Sequence, residues 1–126
     1  MESGEIKIVP KIWGSEKWIV NTSNYCGKEL QVTKGKRSSL HYHKDKDETF
    51  YIVEGEILME VGDKIWVMKK GDVQRVIPLT KHRYSGLKDC NIMFEFSTHH
   101  EDSDSHRAEL PIVNDVPQEI MEKYSE

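Results

Sequence analysis

Residues 35 to 55 read Gly35-Lys-Arg-Ser-Ser-Leu-His41-Tyr-His43-Lys-Asp-Lys-Asp-Glu48-Thr-Phe-Tyr-Ile-Val-Glu-Gly55. Two features of this stretch decide the fold. Its ends are glycines, and its interior alternates as a strand does, with a charged turn, Lys44-Asp45-Lys46-Asp47, in the middle. In a strand, residues i and i+2 share a face. His41 and His43 therefore aim two imidazoles at one point, with Tyr42 on the other side. Glu48, first residue of the next strand, can fold its carboxylate back onto that point. Further on, Pro78-Leu79-Thr80-Lys81 reads as a turn that delivers His82 from another strand pair. Three imidazoles and one carboxylate suit one divalent first-row metal, with Zn, Mn, Fe, Ni and Co all compatible.

Outward from this stretch, short candidate strands continue in both directions. They run over 5–9, 17–21, 28–34, 38–43, 48–53, 56–61, 64–68, 73–77, 82–86 and 90–97, with Gly62-Asp63 as a two-residue hairpin turn. Eight to ten such strands, with little helical periodicity before residue 112, predict an all-β jelly-roll barrel whose core spans about 25–97. The acidic stretch Glu101 to Ser105 reads as a loop. Val116 to Tyr124, with Pro117 at a first helical position, reads as a short C-terminal helix or tail.

The chain has 126 residues and 14.7 kDa, the size of a single domain over 1–126 with nothing appended. It carries 18 Lys and Arg against 22 Asp and Glu, a net charge of −4, which argues against a nucleic-acid partner. No apolar run is long enough to span a membrane, and the N-terminal Met-Glu-Ser-Gly-Glu lacks the regions of a signal peptide. Cys26 and Cys90 are too few and too far apart for a disulfide framework, so a reducing cytoplasm is the expected home. Exposed edge strands and a Trp-rich N-terminal segment predict a homodimer.

The spacing Gly, five residues, His-x-His, four residues, Glu, six residues, Gly resembles the first sequence motif of the cupin superfamily. Gly71 to His82 resembles the second, with Pro78 shifted by one, Thr80 near the expected glycine and Gly86 in place of Asn. This likeness implies a single cupin barrel. A closer resemblance is to the cupin domain of type II mannose-6-phosphate isomerases. It rests on Pro10-Lys-Ile-Trp13-Gly-Ser-Glu-Lys-Trp18, on Lys28, on Ile77-Pro-Leu followed by Lys81-His-Arg83, and on Phe94-Glu95-Phe96-Ser97 before an acidic loop and Arg107. That family usually has glutamine at the place of His41 and lacks the Lys-Asp-Lys-Asp turn.

The resemblance implies aldose–ketose isomerisation of a sugar or sugar phosphate through a metal-stabilised enediolate. Glu95 is the candidate base, with Lys28 and Arg107 assisting catalysis. Lys28, Arg83 and Arg107 are the cations available to a phosphate or carboxylate, and Tyr84, on the face of His82, is a candidate donor to substrate. Trp13 and Trp18 read as core or dimer contacts, or as platforms for a sugar ring. Other functions open to the same ligand set are a non-haem dioxygenase and a non-catalytic sugar-binding module. His99, His100 and His106 flank the acidic loop without an assigned role.

Overall fold

We describe residues 5–125 in a computed structural model; the first four residues of the N-terminal stretch read above lie outside this range. The chain forms eleven strands: β1 (Lys7–Lys11), β2 (Gly14–Asn21), β3 (Cys26–Val32), β4 (His41–His43), β5 (Glu48–Glu54), β6 (Glu56–Val61), β7 (Lys64–Lys69), β8 (Val73–Val76), β9 (His82–Gly86), β10 (Ile92–Ser97) and β11 (Ser105–Arg107). They make a six-stranded sheet in the order β1-β2-β3-β10-β5-β8 and a five-stranded sheet in the order β11-β4-β9-β6-β7. Helix α1 (Gln118–Tyr124) closes the chain. No helix among the described residues is long and apolar enough to cross a membrane.

Period-two burial builds this barrel, and it does so with a gradient. Along β3 the inward side chains are Val32, Leu30 and Lys28; along β5 they are Ile52, Phe50 and Glu48. Strand β10 turns in Met93 and Glu95, and β9 turns in Tyr84 and His82. Each strand is thus apolar at one end and ionisable at the other. The apolar ends, with Trp13, Ile57, Met59 and Met68, form one core. Its removal from water, at about 25 cal/mol per Å² of apolar surface, is what holds the two sheets together. The polar ends are brought together at the opposite end, and the site lies there.

Gly55, which ends the opening motif, sits at φ 74°, and a Cβ there would meet the Cys90 carbonyl oxygen at 2.1 Å. Only glycine fits this position, both for its backbone conformation and for its space.

Several expectations shift. The strand expected to stop before Pro10 runs on to Lys11, because β1 is a sheet edge where a missing N–H costs no ladder bond. The strand expected over 38–43 shortens to β4. The acidic stretch expected as a loop contains a 3-10 turn over Asp102–Asp104 and leads into β11. Trp13 is buried edge-on against Tyr84 at 5.2 Å, and Trp18 donates to Glu16 Oε1 at 2.8 Å.

Candidate metal centre

The pleat of β4 places His41 and His43 on one side, and β4 pairs with β9 through His41 opposite His82. The turn before β9 is held by the Leu79 N–H, which donates to the His43 carbonyl at 2.7 Å, so the two ligand strands are tied at the site itself. One nitrogen from each of the three imidazoles lies within 4.8 Å of the others.

The rings are oriented by the nitrogen they turn away from the centre. His41 Nδ1 lies 2.7 Å from the Ser39 carbonyl, His82 Nδ1 3.0 Å from the Thr80 carbonyl, and His43 Nδ1 3.1 Å from the Asp104 carbonyl. A carbonyl only accepts, so the ring proton belongs on Nδ1 and the free lone pair on Nε2. Glu48 completes the set, with Oε2 2.9 Å from His82 Nε2 and 3.3 Å from His43 Nε2. Both Glu48 Oε2 and His82 Nε2 are buried without a hydrogen-bond partner. Four acceptors that face one another across a buried space lack a positive centre between them. The residues therefore fit a divalent cation, with the outward hydrogen bonds doing the orienting that metal-bound histidines require. Burial, and next the neighbouring His82, push the His41 imidazole down to about 3, which keeps its lone pair available at neutral pH.

The ligands open into a cavity of about 660 Å³ whose lining is mostly charged. Of the residues assigned from sequence, Lys28, Tyr84, Glu95 and Arg107 all line it. Glu95 is 4% exposed and Lys28 is 1% exposed; both turn inward. Lys28 is held by Glu16 Oε1 at 3.3 Å and lies 4.4 Å from the centre of the Trp18 ring. Tyr84 holds its phenolic proton more tightly than usual, because burial and then the charges of Glu16, Glu95 and Glu48 oppose ionisation. It can donate a hydrogen bond but does not serve as a base. Arg107 lies on β11 opposite His41, exposed at the cavity rim.

Arg83 is placed elsewhere. Its neighbours His82 and Tyr84 point inward, so the pleat turns Arg83 out, where it binds Glu60 at 2.8 Å and Glu109 at 3.1 Å. His99 lies outside this cavity with Glu101 and the Thr22 carbonyl, while His106 stacks on Tyr42 at the rim.

Four residues to which the sequence assigned no role shape the site. Lys46, Glu16 and His100 line the cavity, and Lys46 is only 3% exposed. Its parity with Glu48, Phe50 and Ile52 is the signal that pointed to an inward side chain. Although burial disfavours the ammonium, Glu95 and Glu48 raise its affinity for the proton above the ordinary lysine range. Asp104 acts differently. Its carboxylate accepts from the backbone N–H groups of Lys44, Asp45 and Lys46 at 2.8–3.3 Å, while its carbonyl takes His43 Nδ1. The acidic segment thus clamps the turn between the His pair and Glu48. Substitution Asp104→Ala is expected to weaken divalent-metal binding about tenfold, the scale of lost outer contacts to a metal ligand. Competition with a chromophoric chelator measures this, and an unchanged affinity would show that the clamp does not hold the ligands.

Comparison with known proteins adds family and fold. A family profile described as "Cupin domain" matches residues 29–94. A protein of Methanocaldococcus jannaschii named "Uncharacterized protein MJ1618" is 34% identical over 59 residues, which cover 47% of each chain. The match thus spans about half the length of that relative. Among solved structures, KdgF from Halomonas sp. superposes with a TM-score of 0.70 at 17% identity, covering 79% of this chain and 89% of that one. An oxalate decarboxylase from Bacillus subtilis gives a TM-score of 0.75 at 14% identity, covering 85% of this chain and 31% of that one. The capsular polysaccharide assembling protein CapF from Staphylococcus aureus gives 0.71 at 17%, covering 86% and 33%. At these identities the structural likeness is one of fold.

Proposed function

Since the chain belongs to the cupin family, whose profile spans the strands that carry all four ligands, we propose that it is a metal-dependent enzyme acting on a sugar or sugar phosphate, interconverting aldose and ketose. The observation that carries this reading is Glu95. A buried carboxylate stands in the same cavity as the three imidazoles, bound to Lys46 at 2.9 Å, with no part in the ligand set. Proton abstraction beside a carbonyl needs a base placed in this way.

When bound, the metal supplies Lewis-acid polarisation of neighbouring substrate oxygens. The protein's own groups do the rest. Glu95 takes the proton from one carbon and returns it to the next. Tyr84 donates a hydrogen bond to a substrate oxygen, and Lys28, fixed by Glu16 and the Trp18 ring, orients hydroxyl groups. Arg107 at the rim takes a terminal phosphate or carboxylate through its planar fork. The charged lining favours a polyhydroxylated, anionic substrate over an apolar one.

Metal-loaded protein incubated in D₂O with mannose 6-phosphate, fructose 6-phosphate and related pentoses tests this. The expected result is deuterium at C2 together with aldose–ketose exchange. If every one of these sugars binds without exchange, the site is a sugar-binding module. Oxygen uptake by the anaerobically purified iron form would instead assign it to oxygen chemistry.

A further inference from the structure

Lys46 occupies a position that neither ligand binding nor proton transfer explains by itself. Its ammonium makes two hydrogen bonds, to Glu95 and His100, and an ion pair with Glu48. Glu95 Oε2 lies at 2.9 Å, His100 Nδ1 at 3.0 Å and Glu48 Oε1 at 3.4 Å. The two oxygens of Glu48 are therefore divided. Oε1 faces Lys46, and Oε2 alone faces His43 and His82.

Lys46 is itself held from the surface. Because an ammonium only donates, His100 must accept at Nδ1 and carry its proton on Nε2, which donates to Asp102 Oδ1 at 2.8 Å. The ring stands edge-on to Trp18 at 5.1 Å. Asn21 fixes the His100 backbone on both sides, accepting from its N–H at 3.0 Å and donating to its carbonyl at 3.1 Å. A continuous strut thus runs from exposed Asp102 through His100 and Lys46 to the second oxygen of Glu48.

We propose that Lys46 is a positioning residue of the metal centre: by engaging Oε1 it makes Glu48 a one-oxygen ligand, and His100 is the strut that keeps it there. A carboxylate released from Lys46 can turn both oxygens to a cation and fill a coordination position that substrate needs. This inference rests on the metal site alone and stands whether or not the substrate is a sugar.

Cobalt(II) tests it, because its visible absorption weakens as its coordination number rises and reports geometry without any turnover. The comparison uses the full chain loaded with one cobalt, as wild type, Lys46→Met, His100→Leu and His100→Asn. Lys46→Met and His100→Leu are expected to lose absorptivity in the visible band. His100→Asn, whose amide oxygen stands at the place of Nδ1 and can still accept from Lys46, is expected to keep the wild-type spectrum. A purely structural role would lower the melting temperature of these variants and leave the spectrum alone. If Lys46→Met does not fold, the two His100 variants decide the matter: equal spectra for His100→Leu and wild type would overturn the proposal.

Discussion

Substitution Glu48→Gln is expected to weaken divalent-metal binding by more than about a hundredfold, beyond the ten- to hundredfold range of changes to outer contacts, while the metal-free protein stays folded. The two effects have different origins. Metal binding loses the only anionic oxygen at the centre. The metal-free site, by contrast, gains a donor, because the amide NH₂ can point at the buried His82 Nε2, which has no hydrogen-bond partner. An unsatisfied buried group costs about 1–3 kcal/mol. Relief of part of that cost offsets the loss of one carboxylate beside Lys46, which still keeps Glu95. Thermal melts with and without saturating metal separate the effects. The wild type should gain stability with metal as RT ln(1 + [L]/Kd) requires, and Glu48→Gln should show little gain. An equal gain in both proteins would show that the metal binds elsewhere.

The second large effect is expected at Glu95. Substitution Glu95→Gln keeps the size of the side chain and an oxygen for Lys46, but removes the base. Turnover should fall by about 10²- to 10⁴-fold, the usual worth of a positioned general base. Metal affinity should change little, because the carboxylate is not among the ligands. Measuring exchange of the C2 hydrogen alongside metal content distinguishes the roles. A variant that loses metal and activity together would make Glu95 part of the metal centre's support, and one that retains exchange would remove it as the base.

Much of this arrangement was legible from residue parity. His41 and His43 two apart, Glu48 at the head of the next strand, and His82 after a turn are all local patterns, and the barrel brings them together. The C-terminal element was legible as a helix or tail over 116–124; it is a helix from Gln118, with Pro117 just before it and the Pro117 carbonyl accepting from the Ile120 and Met121 N–H groups. Arg83 shows where motif matching and parity disagree. The resemblance groups it with substrate cations, while its place between two inward residues turns it to Glu60 and Glu109. Lys46 was hidden for the opposite reason. Inside a Lys-Asp-Lys-Asp turn a lysine reads as solvated, and only its parity with Glu48 marks it as buried.

The acidic segment was the least legible. Asp104 works through its carboxylate on the backbone of a turn some 60 residues away, and side chain to backbone clamps leave no periodic trace in the sequence. The same holds for His100, whose role depends on Asn21 at the end of β2, a strand separated from β10 by β3 and distant in sequence. Local alternation reveals which face a residue takes. It does not reveal which distant polar group will meet it there.

X-ray absorption at the cobalt or zinc edge, on protein loaded with one equivalent of that metal, tests the central claim most directly. The expected first shell is nitrogen and oxygen at about 2.0–2.2 Å, with outer-shell scattering from three imidazole rings. A sulfur shell at about 2.3 Å, or scattering from fewer than three imidazoles, would contradict a centre built from His41, His43, His82 and Glu48.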